Sequence, residues 1–135
     1  MIANQALVPN PKGVTMINSF KELTVWQEAM NLVEMVYQQT MTLPKTELYG
    51  LTSQIRRAAV SIPANIAEGN GRRSRKEYLQ FLSIANGSIM ELETHILIIE
   101  RLKFITSEVS EQLQNKINTV GRLLSALRKS LVPDP

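Results

Sequence analysis

The sequence predicts an all-α protein, an antiparallel four-helix bundle whose helices run up-down-up-down. Apolar residues recur every three or four positions along most of the 135-residue chain, as they do on one face of a helix. Glycine and proline, six of each, are too few for the many turns of an all-β fold. The length fits one domain, and a hydrophobic content of 44% with only 5% aromatic residues predicts an aliphatic core.

The N-terminal segment, residues 1–18, shows no sustained period and contains Pro9, Pro11 and Gly13. We therefore expect a flexible tail here, followed by the bundle domain over residues 19–132. Met16 stands just before the patterned region, so translation could begin at Met1 or at Met16.

The first helix is predicted from about Ser19 to Thr42, where Pro44 enforces a break. Ser19 and Glu22 have the spacing of a capping box, in which each side chain bonds a free backbone N–H of the first turn. The predicted core stripe consists of Leu23, Trp26, Met30, Val33 and Tyr37.

The second helix is predicted from about Glu47 to Glu68, with Gly69 as a left-handed C-cap. Pro63 lies inside it. Because proline lacks an N–H and crowds the carbonyl four residues earlier, it is expected to kink the helix. The predicted core face consists of Leu51, Ile55, Ala58, Ala59, Ile62 and Ile66.

The third helix is predicted from about Arg75 to Lys103, and the fourth from about Glu108 to Leu131. Ser74 with Glu77 forms a second capping box, and Thr106 or Ser107 caps the fourth helix. The predicted stripe of the third helix is Tyr78, Phe81, Leu82, Ala85, Ile89, Leu92, Ile96, Ile99 and Leu102. That of the fourth is Val109, Leu113, Ile117, Val120, Leu124, Leu127 and Leu131.

Some apolar residues fall outside these stripes. The third helix has four in a row from Ile96 to Ile99, which point nearly all the way round it. Two interpretations fit: scattered surface hydrophobes, or a second apolar face buried against another subunit. The other residues of such a face are Leu79, Ile84, Val25, Leu32 and Met35.

Cations cluster between the second and third helices. Arg72, Arg73, Arg75 and Lys76, which we call the basic corner, lie within five positions, and the net charge of the chain is +3. A helix N-terminus with basic side chains suits a phosphate group, which makes this a candidate nucleic-acid site. The other interpretation is a solvated loop whose arginines pair with nearby glutamates. Further candidate nucleic-acid contacts are Arg56, Arg57, Arg122, Arg128 and Lys129.

Catalytic and cofactor chemistry finds no support in the sequence. There is no cysteine and one histidine, His95, too few for a di-metal bundle site or a Ser–His or Cys–His nucleophile. Glu91 and His95 have the spacing of an ordinary surface contact on a helix. No phosphate-binding glycine loop follows a strand, and a helix-turn-helix in residues 54–68 lacks a turn. We therefore expect no enzyme activity, no metal and no cofactor.

Two aromatic residues, Trp26 and Tyr49, could stack on bases, but their helical register favours core packing. No apolar run is long enough for a membrane span, and the N-terminus lacks the pattern of a secretion signal. Together with the lack of cysteine, this predicts a cytoplasmic protein.

Several segments resemble the bacterial four-helix bundle family, also called the 23S rRNA intervening-sequence protein family. The resemblance covers about residues 19–131, and its most distinctive string is SIPANIAEG, residues 61–69. The other matching segments are Trp26-Gln27-x-Ala29, Tyr49-Gly50-Leu51, residues 54–58, residues 81–88 and Glu91-Leu92-Glu93.

The resemblance implies a bundle that assembles as a ring-like homo-oligomer, a pentamer. It is also similar to the accessory variability determinant proteins of diversity-generating retroelements, which bind nucleic acid and a reverse transcriptase. The implied partners are thus further copies of the chain, RNA or DNA, and a reverse transcriptase or other protein. The N-terminal tail has no counterpart in the family pattern, so nothing is implied for it.

Overall fold

The computed structural model describes residues 7–10, 13–16 and 19–133, and its main feature is a set of four long α-helices. Single 3₁₀ turns, Phe20–Glu22 and Lys45–Glu47, precede the first two of them. The all-α prediction for the bundle domain is confirmed. The helices are α1 (Thr24–Thr40), α2 (Leu51–Asn70), α3 (Arg75–Arg101) and α4 (Ser107–Leu131).

The N-terminal segment contains two short strands that the sequence did not predict. β1 (Leu7–Asn10) pairs with β2 (Gly13–Met16) in antiparallel register, with Leu7 opposite Met16. The rest of the predicted tail, residues 1–6, 11–12 and 17–18, lies outside the described residues. The flexibility of the tail therefore stays a prediction.

The core lies between the four helices. α1 packs against α2 and α4, and α3 packs against the same two helices. In the described part of the chain the buried hydrophobic side chains are aliphatic except for Tyr78, which confirms the predicted aliphatic core. The stripe predicted for α4 is buried from Leu113 to Leu131, with Val109 partly buried at its start.

The stripe predicted for α1 is correct at Leu23, which is buried, and wrong by one residue from there on. Met30 and Tyr37 are 40% and 41% exposed, and Trp26 and Val33 are only partly buried. A shift of one residue rotates a helix by about 100°, which brings a different set of apolar residues to the core. Val25 and Leu32, predicted for a second apolar face, belong to that set. The buried residues are Val25, Ala29, Leu32 and Val36.

The predicted N-terminus of α1 is also wrong. Ser19 Oγ accepts a hydrogen bond from the backbone N–H of Lys21, 3.1 Å away, and so caps the 3₁₀ turn rather than the α-helix. The α-helix begins at Thr24. By contrast, the Ser74 and Thr106 caps are confirmed: their hydroxyls accept from the N–H groups of Glu77 and Val109, each at 3.1 Å.

Gly69 has a different role from the predicted one. It lies inside α2, and the C-cap is Gly71, whose φ of −80° is right-handed. A β-carbon on Gly69 would come 2.8 Å from Phe81 Cβ and 3.0 Å from Tyr78 Cδ1, closer than carbon atoms pack. Gly69 is therefore the residue that lets α2 approach α3.

The third helix departs from its predicted stripe at two residues. Phe81 is only partly buried, and Leu102 lies just beyond the helix with half of its surface exposed. Of the four consecutive apolar residues, Ile96 and Ile99 are buried, whereas Leu97 and Ile98 face outward. An exposed apolar surface on α3 therefore exists.

Candidate nucleic-acid interface

The basic corner is a tight connection between two helices. Only residues 71–74 separate α2 from α3, because Gly71 ends the first helix and Ser74 caps the second. Arg73, Arg75 and Lys76 are exposed, and no carboxylate of residues 19–133 forms an ion pair with them. Three free cations therefore surround the N-terminus of α3, whose first N–H groups add positive potential.

Arg72 is the member of the basic corner that is held by the protein itself. Its guanidinium lies 3.2 Å from Glu68 Oε1 and 4.7 Å from the centre of the Phe81 ring. The alternative interpretation, in which arginines of the corner pair with nearby glutamates, is thus correct for Arg72, whose charge is partly neutralised. The other three cations of the corner have no carboxylate partner in the described part of the chain.

The end of α4 lies beside the start of α3. Arg128 donates a hydrogen bond to Ser83 Oγ at 3.3 Å, and Lys129 next to it is exposed. Ser83 also lines an open cavity of about 430 Å³ with Arg75 and Lys76. Tertiary folding therefore adds Arg128 to the same end of the bundle, 52 positions further along the chain than Lys76.

Arg56 and Arg57 do not join the basic corner. They lie in the first half of α2, about 20 Å from its C-terminus at 1.5 Å per residue. Neither forms an ion pair within residues 19–133. Arg56 instead donates from Nε to Thr40 Oγ1 at 3.0 Å, with its guanidinium 4.6 Å from the centre of the Tyr37 ring.

Arg122 is also separate from the basic corner. It lines a different cavity, of about 390 Å³, together with Glu93 and Met90 of α3. It precedes Arg128 by six positions, or about 9 Å along α4. The nine cations predicted as site residues thus fall into three separate places.

Of the two aromatic residues that the sequence predicts to pack in the core, Tyr49 is the one predicted wrongly. Its side chain is 94% exposed, whereas Trp26 packs against the core and meets Phe20 edge to face with ring centres 5.3 Å apart. The register argument fails for Tyr49 because α2 begins only at Leu51, so Tyr49 belongs to the connection. The Gly50 that follows it was the available signal of a helix boundary.

His95 is buried, at 9% exposure, and its Nδ1 has no hydrogen-bond partner. Glu91 is exposed, so the predicted surface contact between the two is wrong. In residues 19–133 and the two strands, no group of three His, Cys, Asp or Glu could hold a metal ion. The helix from Leu51 to Asn70 has no break, which excludes the helix-turn-helix interpretation.

Fold and surface together define a four-helix bundle protein with a cluster of cations at one end. The chain belongs to the 23S rRNA-intervening sequence protein family, whose model matches residues 21–126. The resemblance found in the sequence is therefore confirmed. No helix in the described part of the chain combines the length and apolar character of a membrane span.

A solved structure has the same fold. It is the crystal structure of a protein of unknown function from the S23 ribosomal protein family of Bacteroides thetaiotaomicron, 26% identical in sequence with a TM-score of 0.71. The match covers 78% of this chain and 99% of that one. No curated protein matches this chain significantly.

Proposed function

We propose that this protein is a non-enzymatic oligomeric scaffold that binds the phosphate backbone of RNA or DNA, alone or in a ribonucleoprotein. The observation that carries the proposal is the set of three unpaired cations in the basic corner, Arg73, Arg75 and Lys76. The family description, which refers to an intervening sequence of 23S rRNA, supports RNA as the partner.

The physical basis is counterion release. Each phosphate that a lysine or arginine neutralises frees condensed cations from the nucleic acid, and this entropy drives binding without reading sequence. Arginine also forms paired hydrogen bonds with phosphate oxygens. We expect a weak, salt-sensitive contact per chain, since one corner offers only three or four cations.

Assembly would multiply this contact. We propose a ring-like homo-oligomer, five copies by the family resemblance, in which each chain repeats the corner. The surface that supports it is the outward side of α3 with the residue that follows it, where five exposed apolar residues lie: Ile84, Met90, Leu97, Ile98 and, just beyond the helix, Leu102. Large exposed apolar surfaces are typical of protein interfaces.

Gly87 gives a second reason to place an interface on α3. A β-carbon at Gly87 would meet nothing within 4 Å, so the chain itself does not require glycine there. Glycine inside a helix costs about 1 kcal/mol relative to alanine. Close approach of a neighbouring subunit would account for it.

We infer the up-down-up-down arrangement from contacts whose residue numbers rise on one helix as they fall on the next. Between α2 and α3, Ser61 meets Ser88 and Asn70 meets Tyr78. Between α3 and α4, Ser83 meets Arg128 and Glu93 meets Gln114. The connections of four or five residues after α2 and α3 are too short to return along a helix.

The proposal includes a kink of α2 at Pro63, because proline withholds the hydrogen bond that would reach Ala59. It also includes a cytoplasmic location, which a chain without cysteine fits.

Binding and mass test the proposal together. Labelled single-stranded and duplex RNA and DNA, titrated at low salt, should bind with affinity that falls steeply as salt rises. Light scattering should give about 76 kDa for five chains of 15.2 kDa. A peak at the mass of one chain would contradict the assembly.

The alternative function is a structural or protein-recruiting ring without nucleic-acid contact. The exposed apolar side chains of α3 favour it, because they could meet another protein as well as another copy. If the protein assembles but binds no RNA or DNA at low salt, that result would support this alternative.

A further inference from the structure

A groove lies at the other end of α2 from the basic corner. It has a volume of about 580 Å³ and runs between the end of α1, the connection and the first turns of α2. No aspartate or glutamate lines it. Its main lining residues are Tyr37, Leu48, Tyr49, Thr52, Arg56 and Arg57.

The exposure of Tyr49 within this groove is unusual for an aromatic side chain. The ring is 94% exposed, and Tyr37, Leu48 and Val60, which line the same groove, are each more than 40% exposed. Single exposed hydrophobes need no explanation, but a group of them around one cavity marks a binding surface. The surface offers a free aromatic face beside apolar walls.

The cations of the groove are placed to receive an anion. Arg56 is fixed by its hydrogen bond to Thr40 and by the ring of Tyr37, which leaves its terminal nitrogens without a carboxylate partner in residues 19–133. Arg57 is exposed and equally unpaired. Holding Arg56 in place before binding lowers the entropy lost when a ligand arrives.

We infer that this groove binds single-stranded RNA, with an unpaired base stacked on Tyr49 and a neighbouring phosphate held by Arg57 and Arg56. A flat apolar ring with adjacent cations matches the alternating base and phosphate of a single strand. A duplex keeps its bases stacked on one another and cannot offer one to Tyr49. Ser53, a half-buried residue of the lining, offers a hydroxyl that can bond a ribose 2′-hydroxyl, which favours RNA over DNA.

A second copy of the chain is a poorer occupant. The two arginines of the groove have no acidic neighbour there, so they attract a phosphate group more strongly than a chain whose net charge is +3. The assignment of RNA to the groove rests on the proposed function. The test of the groove and the test of the basic corner can nevertheless succeed or fail separately.

The test uses fluorescence anisotropy with a labelled hexauridylate RNA and an abasic oligomer of the same length, which keeps the phosphates and lacks the bases. Tyr49→Leu removes the ring from an exposed position, so folding should be unaffected, and Tyr49→Phe keeps the ring. Stacking predicts that Tyr49→Leu weakens hexauridylate binding by about 5- to 150-fold, whereas Tyr49→Phe retains it. The abasic oligomer should bind the wild type and Tyr49→Leu equally.

The corner variant, Arg73→Ala with Arg75→Ala, separates this inference from the proposed function. If it weakens binding of both oligomers while Tyr49→Leu changes neither, the basic corner binds and the groove inference is overturned. If no oligomer binds at low salt, both the groove inference and the proposed nucleic-acid binding are contradicted. Equal binding of hexauridylate and its deoxy counterpart would overturn the assignment of the groove to RNA.

Discussion

Gly69 and Phe81 are in contact so close that a β-carbon on Gly69 would lie 2.8 Å from Phe81 Cβ. The contact falls where α2 ends and α3 begins, next to Asn70, whose amide donates to the Tyr78 hydroxyl at 3.2 Å. It therefore fixes the geometry of the turn that carries the basic corner. The packing of α2 on α3 and the position of the cations both depend on the absence of a side chain at Gly69.

Gly69→Ala should lower the free energy of unfolding by roughly 1–3 kcal/mol, the range for inserting a carbon into a packed interior. Alanine has the better helix propensity, so a loss of stability would have to come from the clash. The measurement is the midpoint of urea unfolding. An unchanged or higher midpoint would show that α2 and α3 can move apart without loss.

Gly87→Ala is the matched variant on the exposed side of α3. Alanine should favour the isolated helix by about 0.5–1 kcal/mol, since a β-carbon there meets nothing within 4 Å. If a neighbouring subunit approaches Gly87, the same methyl group should weaken assembly. Light scattering over a dilution series should then show dissociation at higher concentration than for the wild type. An unchanged mass at every concentration would remove Gly87 from the interface.

Pro63→Ala tests the kink. Alanine supplies an N–H that can donate to the carbonyl of Ala59, so α2 should straighten. A straightened helix should alter the mass of the assembly by light scattering, the melting temperature, or both. If the two quantities match those of the wild type, Pro63 has no role in assembly.

The ion pair between Lys116 and Glu28 links α4 to α1. Their side chains are each 27% exposed, and Nζ lies 2.7 Å from Oε1. Because the pair is partly buried, we expect a coupling free energy of about 1 kcal/mol between the two side chains, at the top of the range for surface pairs. A double-mutant cycle with Glu28→Gln and Lys116→Met measures it in urea. If the effects of the two substitutions on the free energy of unfolding simply add, the ion pair contributes nothing to stability.

The fold was largely predictable because α2, α3 and α4 each carry one dominant apolar stripe. α4 is the clearest case, since its stripe from Leu113 to Leu131 alternates with charged and amide residues. α1 carries two stripes one residue apart, such as Val25 beside Trp26 and Leu32 beside Val33. Periodicity cannot choose between them, because the choice depends on the neighbouring helices.

The candidate site was predictable only where it is local. Arg73, Arg75 and Lys76 are close in sequence and remain close in the fold. Arg128 lies beside Ser83 through a tertiary contact, which the periodicity of the sequence does not predict. Tyr49 was assigned to the core because the start of α2 was placed four residues too early, at Glu47 rather than Leu51.

The central claim is that the basic corner binds nucleic-acid phosphates, and the salt dependence of binding tests it most directly. The variant pair is Arg73→Ala with Arg75→Ala. The control is Arg101→Ala with Lys103→Asn, about 40 Å away at the other end of α3. Asparagine suits Lys103 because its φ of 62° is left-handed.

The measurement is the affinity for a labelled RNA as a function of salt. Loss of two phosphate contacts should make the log–log slope shallower by roughly 1.5, at about 0.7–0.9 per contact. The control should keep the slope of the wild type. Equal slopes for the corner variant and the wild type would contradict the claim, as would the absence of any binding at low salt.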